Sequence, residues 1–424
     1  MLTAIVGINW GDEGKGRMVD LLSADEDVVV RYQGGNNAGH TVINPFGEFI
    51  LNLLPSGIFR SNIVNVMGNG MVIDLEHLYH EIGRLKAAGI KISPENLKIS
   101  DKAVVVFPYH VMQDCYEEER LADAKFGSTR RGIAPVYGDK YLKKAIRMGD
   151  LLCPEYLKER LRGIVDWKNM TLRDGYKRDG VEYEQMLAWV EKYGQELKPY
   201  ITDVSSYLES AVQAGKKIMF EAQLGALRDI DFGIYPYTSS SSTIAAYGPI
   251  GAGIPGHSLD RVVGIMKAYS SCVGEGPFTC EFFGQEADEL RTAGHEFGAA
   301  TGRPRRVGPF DVVASRYGVR VQGATELAFT KLDILSMMEK IPVTVAYDVD
   351  GVRTTEFPTG DALNKAKPIN EYLPGWQCDI SACRKVSDLP KEALDYIRYV
   401  ENAVGCKIKY VSVGADRDAY IVMD

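Results

Sequence analysis

Several absences bound the reading of this 424-residue chain. It has no run approaching 18 consecutive apolar residues, so no segment reads as a membrane-spanning helix. Its N-terminus lacks the basic-then-apolar pattern of a secretion signal, and a cytoplasmic location is the expectation. It has no excess of positive charge. The formal net charge of −8 argues against a broad nucleic-acid-binding surface, and any anion site must be local. Cysteine is sparse and unpaired, at 115, 153, 272, 280, 378, 383 and 406, with no Cys-x-x-Cys. A disulfide scaffold or zinc ribbon is therefore a poor reading, and free thiols are expected. His77 and His80 share a helix face, but no third ligand lies near them in sequence, which disfavours a metal there.

What the chain does have is a glycine-rich turn, Gly11-Asp-Glu-Gly-Lys-Gly-Arg17, directly after the apolar run Leu2-Thr-Ala-Ile-Val-Gly-Ile8. A buried strand running into such a turn is how a backbone wraps phosphate. Glycines let amides point inward, and Lys15 adds a point charge. The usual phosphate loop places four residues between its glycines and ends in Lys-Ser/Thr. Here Gly7 to Gly14 is two residues longer, and Lys15 is followed by Gly16 and Arg17. The hydroxyl that normally holds Mg²⁺ is missing. A metal would need another ligand, and Asp12 is the nearest candidate.

Apolar runs at 28–32, 63–67, 217–221, 262–266, 343–347 and 408–412 read as further strands. Leu75, Leu78, Tyr79, Ile82 and Leu85 form a helical stripe over 75–88, with Asp74 as its N-cap. This alternation predicts an α/β protein with a large, mainly parallel central sheet flanked by helices. Ligands in such sheets gather beyond the carboxyl ends of strands. The charge-rich stretch at about 151–197 lacks strand-like runs and reads as a helical insertion. With no low-complexity linker and no internal repeat, residues 1–424 read as one large domain.

Other segments carry plausible chemistry. Gln33-Gly-Gly-Asn-Asn-Ala-Gly-His-Thr41 follows a strand and suits close backbone approach to a ligand, with His40 as an acid or neutral hydrogen-bond donor. Thr330-Lys-Leu-Asp333 follows the short strand candidate at 326–329. An Asp there can accept from both N1–H and the exocyclic amine of guanine, a donor pair that adenine does not present on that edge. Ala299-Ala-Thr-Gly-Arg-Pro-Arg-Arg306 is a cationic loop in an acidic protein, suited to carboxylates or phosphates. The hydroxyl-rich segments at 126–135 and 235–243, and Ser412-Val-Gly-Ala-Asp416 after the last strand, are weaker anion or sugar candidates.

Together these segments resemble the adenylosuccinate synthetase family over nearly the whole length. The resemblance rests on Trp10-Gly-Asp-Glu-Gly-Lys-Gly16, Tyr32-Gln-Gly-Gly, Asn37-Ala-Gly-His-Thr41, Gly132-Ile, Tyr235-Pro-Tyr237, Gly264-Ile-Met-Lys-Ala-Tyr269, Thr301-Gly-Arg303, Lys331-Leu-Asp333 and Gly375-Trp376. It implies ligation of IMP and L-aspartate, driven by GTP cleavage through a 6-phosphoryl-IMP intermediate. A non-catalytic guanine-nucleotide switch and a simple purine phosphotransferase are the alternative readings.

The resemblance assigns catalysis to Asp12, which takes the N1 proton, and to His40 and Lys15. It assigns GTP to Gly11, Asp12, Glu13, Gly14, Lys15, Gly16, Arg17, Gly39, His40, Thr41, Arg305, Lys331, Leu332, Asp333, Ser412, Val413 and Gly414. It assigns IMP to Asp12, Glu13, Gly14, Lys15, Asn37, Ala38, Gly39, His40, Thr129, Lys143, Gln223, Ser239 and Arg303. Aspartate falls to Ala299, Ala300, Thr301, Gly302, Arg303, Pro304 and Arg305. One Mg²⁺ per site is expected on the Asp12 carboxylate and the Gly39 carbonyl. A homodimer is expected, with Lys143 near the partner's IMP site.

Three departures stand out. Lys143 replaces the family's usual Arg and loses its fork. Phe220-Glu-Ala-Gln-Leu-Gly225 puts Leu224, not Gln, at the aligned IMP-contacting position, leaving Gln223 as a possible substitute. Pro304 enters the arginine loop.

Overall fold

The computed structural model describes all residues except 45, 46, 299–301, 303, 417 and 424, together with the backbone alone of 43 and 44. A ten-stranded sheet forms its centre. In chain order its strands are β1 (Leu2–Gly7), β2 (Val28–Arg31), β3 (Val64–Met67), β4 (Leu97–Ser100), β5 (Ile201–Thr202), β6 (Ile218–Gly225), β7 (Arg261–Lys267), β8 (Glu326–Thr330), β9 (Ile408–Ser412) and β10 (Tyr420–Val422). The spatial order is β10-β9-β8-β7-β1-β6-β2-β3-β4-β5. All pairs are parallel except β9 with β10. The chain winds outward from β2 to β5 on one side of β1 and from β7 to β10 on the other. The order therefore reverses around β1, β6 and β7, and a crevice opens at their carboxyl ends.

β1 and β2 are buried along their whole length because both sheet faces are covered there. In β1, Leu2, Ala4 and Val6 pack on one face with Val204 and Leu208 of the helix Val204–Gln213. Ile5 packs on the other with Met18 and Val19 of α1 (Lys15–Leu22). The two-residue period of a strand thus feeds two cores at once.

The helix over the 75–88 stripe is α2 (Leu75–Ala87), and the Asp74 side chain caps it by accepting from the His77 amide at 3.0 Å. Residues 151–197 contain the helices Pro154–Asn169 and Tyr183–Leu197 and no strand. Their Leu157, Leu161, Ile164, Val190 and Leu197 share one core with Leu75, Leu78, Leu97 and Ile99. Each such side chain contributes roughly 1.5–3 kcal/mol by leaving water.

The predicted strand at 343–347 exists as Lys340–Val349, but it lies outside the central sheet. It pairs antiparallel with Lys367–Pro374 in a smaller sheet. All seven cysteines are free. Among the described residues no helix is long and apolar enough to cross a membrane.

Asp74 does more than cap α2: its second oxygen accepts from Asn36 Nδ2 at 3.0 Å, tying the helix to the loop after β2. Asp74→Ala should lower unfolding free energy by about 1–2 kcal/mol in a denaturant melt. No measurable loss would show the cap to be dispensable.

Candidate active site

The glycine-rich turn leaves the carboxyl end of β1 and enters α1. Gly11, Asp12 and Gly14 all have left-handed backbones, with φ of 105°, 59° and 94°. For Asp12 this conformation is unusual and needs support from its surroundings. Gly14 caps α1 with no side-chain bond, so the first amides of α1 are available to an anion. Glu13 braces the turn from beneath. It is buried and accepts from the amides of Asn9 at 3.1 Å and Gly11 at 2.8 Å. Its other oxygen holds Lys15 Nζ at 2.6 Å. Gly7 and Gly225 wall this carboxylate so closely that a Cβ on either would lie 2.6 Å from one of its oxygens.

His40 opens a short hairpin, His40–Asn44 with Gly47–Leu51, which is not among the strands expected from sequence. A Cβ on Gly16 would lie 3.1 Å from that of His40, so the start of α1 touches the histidine directly. His40 Nδ1 is 2.6 Å from Oε1 of Glu221, which lies on β6 and is fully buried. The Ser56 hydroxyl and amide donate to the same carboxylate at 2.7 and 2.8 Å. Burial holds the His40 pKa below its ordinary 6.5, although the hydrogen bond to Glu221 opposes this. Burial also tends to raise the Glu221 pKa, but His40 and the buried Arg31 outweigh it, and the carboxyl stays below its usual range. The resting arrangement is therefore a neutral imidazole donating from Nδ1 to a carboxylate.

The other half of the crevice lies beyond β7, β8 and β9. Thr330 Oγ1 donates to the Glu13 carbonyl at 2.8 Å, fastening β8 to the turn. Lys331 follows with φ 60° and leads into the turn Leu332–Leu335, which carries Asp333. Burial raises the Asp333 pKa, against the nearby charges of Lys331 and Arg17. Arg17, expected to touch nucleotide, directs its guanidinium at the turn after β9. It donates to Ser412 Oγ at 2.7 Å and to the carbonyls of Gly414 at 2.5 Å and Ala419 at 3.1 Å, and also to that of Asp416. Val413 is fully buried. Arg17 thereby positions Ser412, Val413 and Gly414 beside Asp333.

Arg305 joins the two halves. Its Nε lies 3.0 Å from Asp12 Oδ2, and its Nη1 lies 2.8 Å from Glu296 Oε2. The base of the arginine loop is closed by a bridge between Phe297 and Pro304 and by the Arg305 amide donating to the Glu296 carbonyl at 2.9 Å. Of the expected aspartate ligands, Gly302, Pro304 and Arg305 are described. Ala299, Ala300, Thr301 and Arg303 lie outside the described residues.

The expected IMP residues come from several elements. Asn37 accepts from the Gly35 amide at 3.2 Å, and Ala38 receives Asn52 Nδ2 at 3.0 Å. Gln223 is fully buried and donates to the carbonyls of Gly35 at 3.0 Å and Ala38 at 3.3 Å. The structure thus brings Gln223 to the 35–38 loop, while Leu224 takes a left-handed φ of 64°. A Cβ on Gly11 would lie 3.7 Å from Leu224 Cδ2, so the Leu224 side chain packs against the glycine-rich turn. Ser239 is anchored by its amide to the Arg228 carbonyl at 2.9 Å, and its hydroxyl is 3.4 Å from that of Ser241. Thr129 is exposed on a loop whose neighbours are held by Asp114 and Glu118 of the helix Pro108–Leu121. Lys143 is exposed, just past the helix Ile133–Tyr141, with φ 62°. Gly39 sits where a Cβ would come within 2.8 Å of Ile50, and Thr41 continues the hairpin.

Glu221 and Glu296 were not singled out by sequence. Glu221 had a faint signal, as a carboxylate ending an apolar strand. Glu296 had none.

A profile of the adenylosuccinate synthetase family matches residues 4–421. The chain belongs to the adenylosuccinate synthetase family. Adenylosuccinate synthetases from Caldanaerobacter subterraneus and Dehalococcoides mccartyi are each 44% identical to it, covering 100% and 99% of this chain and 99% of theirs. The fully ligated adenylosuccinate synthetase structure from Plasmodium falciparum superposes with a TM-score of 0.91 at 34% identity, over 100% of this chain and 99% of that one. The cyanophage S-2L succinoaminodeoxyadenylate synthetase, bound to dGMP and dATP, shares the fold at a TM-score of 0.61 and 18% identity, over 99% of this chain and 95% of that one. The adenylosuccinate synthetases are GTP-dependent ligases that form a C–N bond in purine biosynthesis, and this chain is an enzyme of that kind. The non-catalytic switch and the simple phosphotransferase are thereby set aside.

The His40 pKa lies below 6.5, so the ring is uncharged at pH values above that lowered point. At pH 6.5 a long-range ¹H–¹⁵N spectrum of the ligand-free protein should show His40 predominantly neutral with its proton on Nδ1. A mostly doubly protonated ring would overturn this assignment.

Proposed function

We propose that this enzyme joins IMP and L-aspartate to give adenylosuccinate, with GTP cleaved to GDP and phosphate, in the cytoplasm typical of the family. One observation carries the reading. The turn holding Asp12 and Lys15 abuts a neutral, carboxylate-oriented His40 at the strand-order reversal. Phosphate binding alone would not need that histidine.

In the proposed sequence Asp12 takes the N1 proton of IMP, and the electron pair moves onto O6. O6 attacks the γ-phosphorus of GTP, and the bond to the β,γ-bridging oxygen breaks, releasing GDP. The aspartate amine then attacks C6, and the C6–O6 bond breaks to expel phosphate. Lys15 offsets charge on the transferring group. With Nδ1 fixed on Glu221, His40 has Nε2 left for the reacting oxygen. The negative phosphoryl group favours the protonated, donating ring. Asp333 reads guanine, and the segment ending at Arg305 grips the aspartate carboxylates.

The Asp12 carboxylate and Gly39 carbonyl are hard oxygen donors that suit Mg²⁺, and Asp12 is about one-third exposed, open to further oxygen ligands. Bound there, the ion would neutralise charge on the phosphates. Among the described residues no group of three or more His, Cys, Asp and Glu could hold a metal alone, so phosphate oxygens would complete this one. We take the chain as one domain with 151–197 as a helical insertion. We also take it as a homodimer, in which Lys143, flanked by Tyr141 and Leu142 at 75% and 59% exposure, reaches the partner's IMP site.

The direct test supplies GTP, IMP and L-aspartate to the purified enzyme and follows adenylosuccinate absorbance. GTP hydrolysis without product would reject the reading. Asp12→Asn should reduce turnover at least about a thousandfold while melting within a few degrees of the parent. A near-normal rate would remove Asp12 as the base. Asp333→Ala should cut the GTP-over-ATP ratio of kcat/KM by about a hundredfold, and an unchanged ratio would show that guanine is read elsewhere.

A further inference from the structure

Glu296 has no part in the scheme above, yet it is fully buried and accepts from more charged groups than any residue the scheme names. Its Oε1 lies 2.8 Å from Lys267 Nζ, at the end of β7, and 2.8 Å from Lys331 Nζ, just after β8. The Tyr269 hydroxyl donates to the same oxygen. Its Oε2 takes Arg305 Nη1 at 2.8 Å, and Arg305 in turn reaches Asp12 at 3.0 Å. Lys331 is fixed a second time by the Gly294 carbonyl at 2.6 Å, and Lys267 by Ser271 Oγ at 2.6 Å.

Three cations thus share one buried carboxylate. Removing that carboxylate would leave them facing one another in a poorly solvated site, and breaking a buried pair strands its partner charge. Lys267 is almost wholly buried and would stay in place. Lys331 is one-third exposed and Arg305 14% exposed, so these two would move. Among the described residues, the other anion paired with Arg305 is Asp12. Arg305 must also leave Asp12 before Asp12 can take a proton, and it needs a second anion to hold it when it does.

We propose that Glu296 is a positioning residue that holds Lys331 for the guanine base and Arg305 for aspartate, and receives Arg305 when it releases Asp12. This rests on the ligase reading given above for Lys331, Arg305 and Asp12. It predicts an uneven defect. Guanine-nucleotide and aspartate affinities depend on Glu296, whereas IMP, assigned mainly to the loops after β1 and β2, does not.

The test compares Glu296→Gln, Glu296→Asp and Tyr269→Phe. Glu296→Gln should raise both the Kd for a fluorescent GDP analogue and the KM for aspartate about tenfold, a loss of about 1.4 kcal/mol each. The KM for IMP should stay within about threefold. Glu296→Asp, which keeps the charge, should recover part of both losses, and Tyr269→Phe should change neither much. Parental constants in a folded Glu296→Gln would overturn the proposal. So would an equal rise in all three constants with a lowered Tm, which marks a merely structural role. If the parent makes no adenylosuccinate, the ligase reading fails by itself. The GDP-analogue Kd still tests Glu296 in that case.

Discussion

The site depends on a break in register between the two central strands. Along β1 and β6, Ile5 faces Glu221 and Gly7 faces Gly225, so β6 spends four steps where β1 spends two. The extra residues bulge from the sheet, with Leu224 in a left-handed conformation. The bulge leaves Glu221 under His40, turns Gln223 beneath the 35–38 loop, and sets Leu224 against Gly11. In a regular ladder Glu221 and Gln223 would share one face and Leu224 would point to the other, so the bulge is what brings Leu224 to the glycine-rich turn. The bulge, not the residue count, decides where Gln223 and Leu224 go.

A second principle runs through the site. Several groups of the candidate site rest on a buried carboxylate. Glu13 lies under Lys15 and the turn amides, Glu221 under His40, and Glu296 under Lys331 and Arg305. An isolated buried carboxylate would be costly, but each of these is saturated with donors. The resulting rigidity fixes the donors in place in advance, the condition under which preorganised electrostatic stabilisation works.

Much of the fold was legible in sequence. Doubly covered parallel strands must be continuous apolar runs, and β1, β2, β3, β6, β7, β8 and β9 show it. The stripe and the capping Asp74 marked α2 within one residue. The rest was hidden for physical reasons. β5 has two residues and β10 three, too few for any period to emerge. The run at 343–347 is equally apolar in either sheet, so composition could not say which sheet it joins. In the site, glycine-rich and charged loops announced Lys15, His40, Asp333 and Arg305. Of their supports, Glu221 gave only a faint signal and Glu296 none, because Glu221 meets His40 across 181 residues and Glu296 meets Lys331 across 35.

Arg17 fastens the first helix to carbonyls and a hydroxyl between Ser412 and Ala419. Two segments 395 residues apart in the chain are therefore clasped together. On the ribosome, the glycine-rich turn is made long before the turn it grips. The glycine-rich turn must therefore wait for that later segment to emerge before this clasp can close.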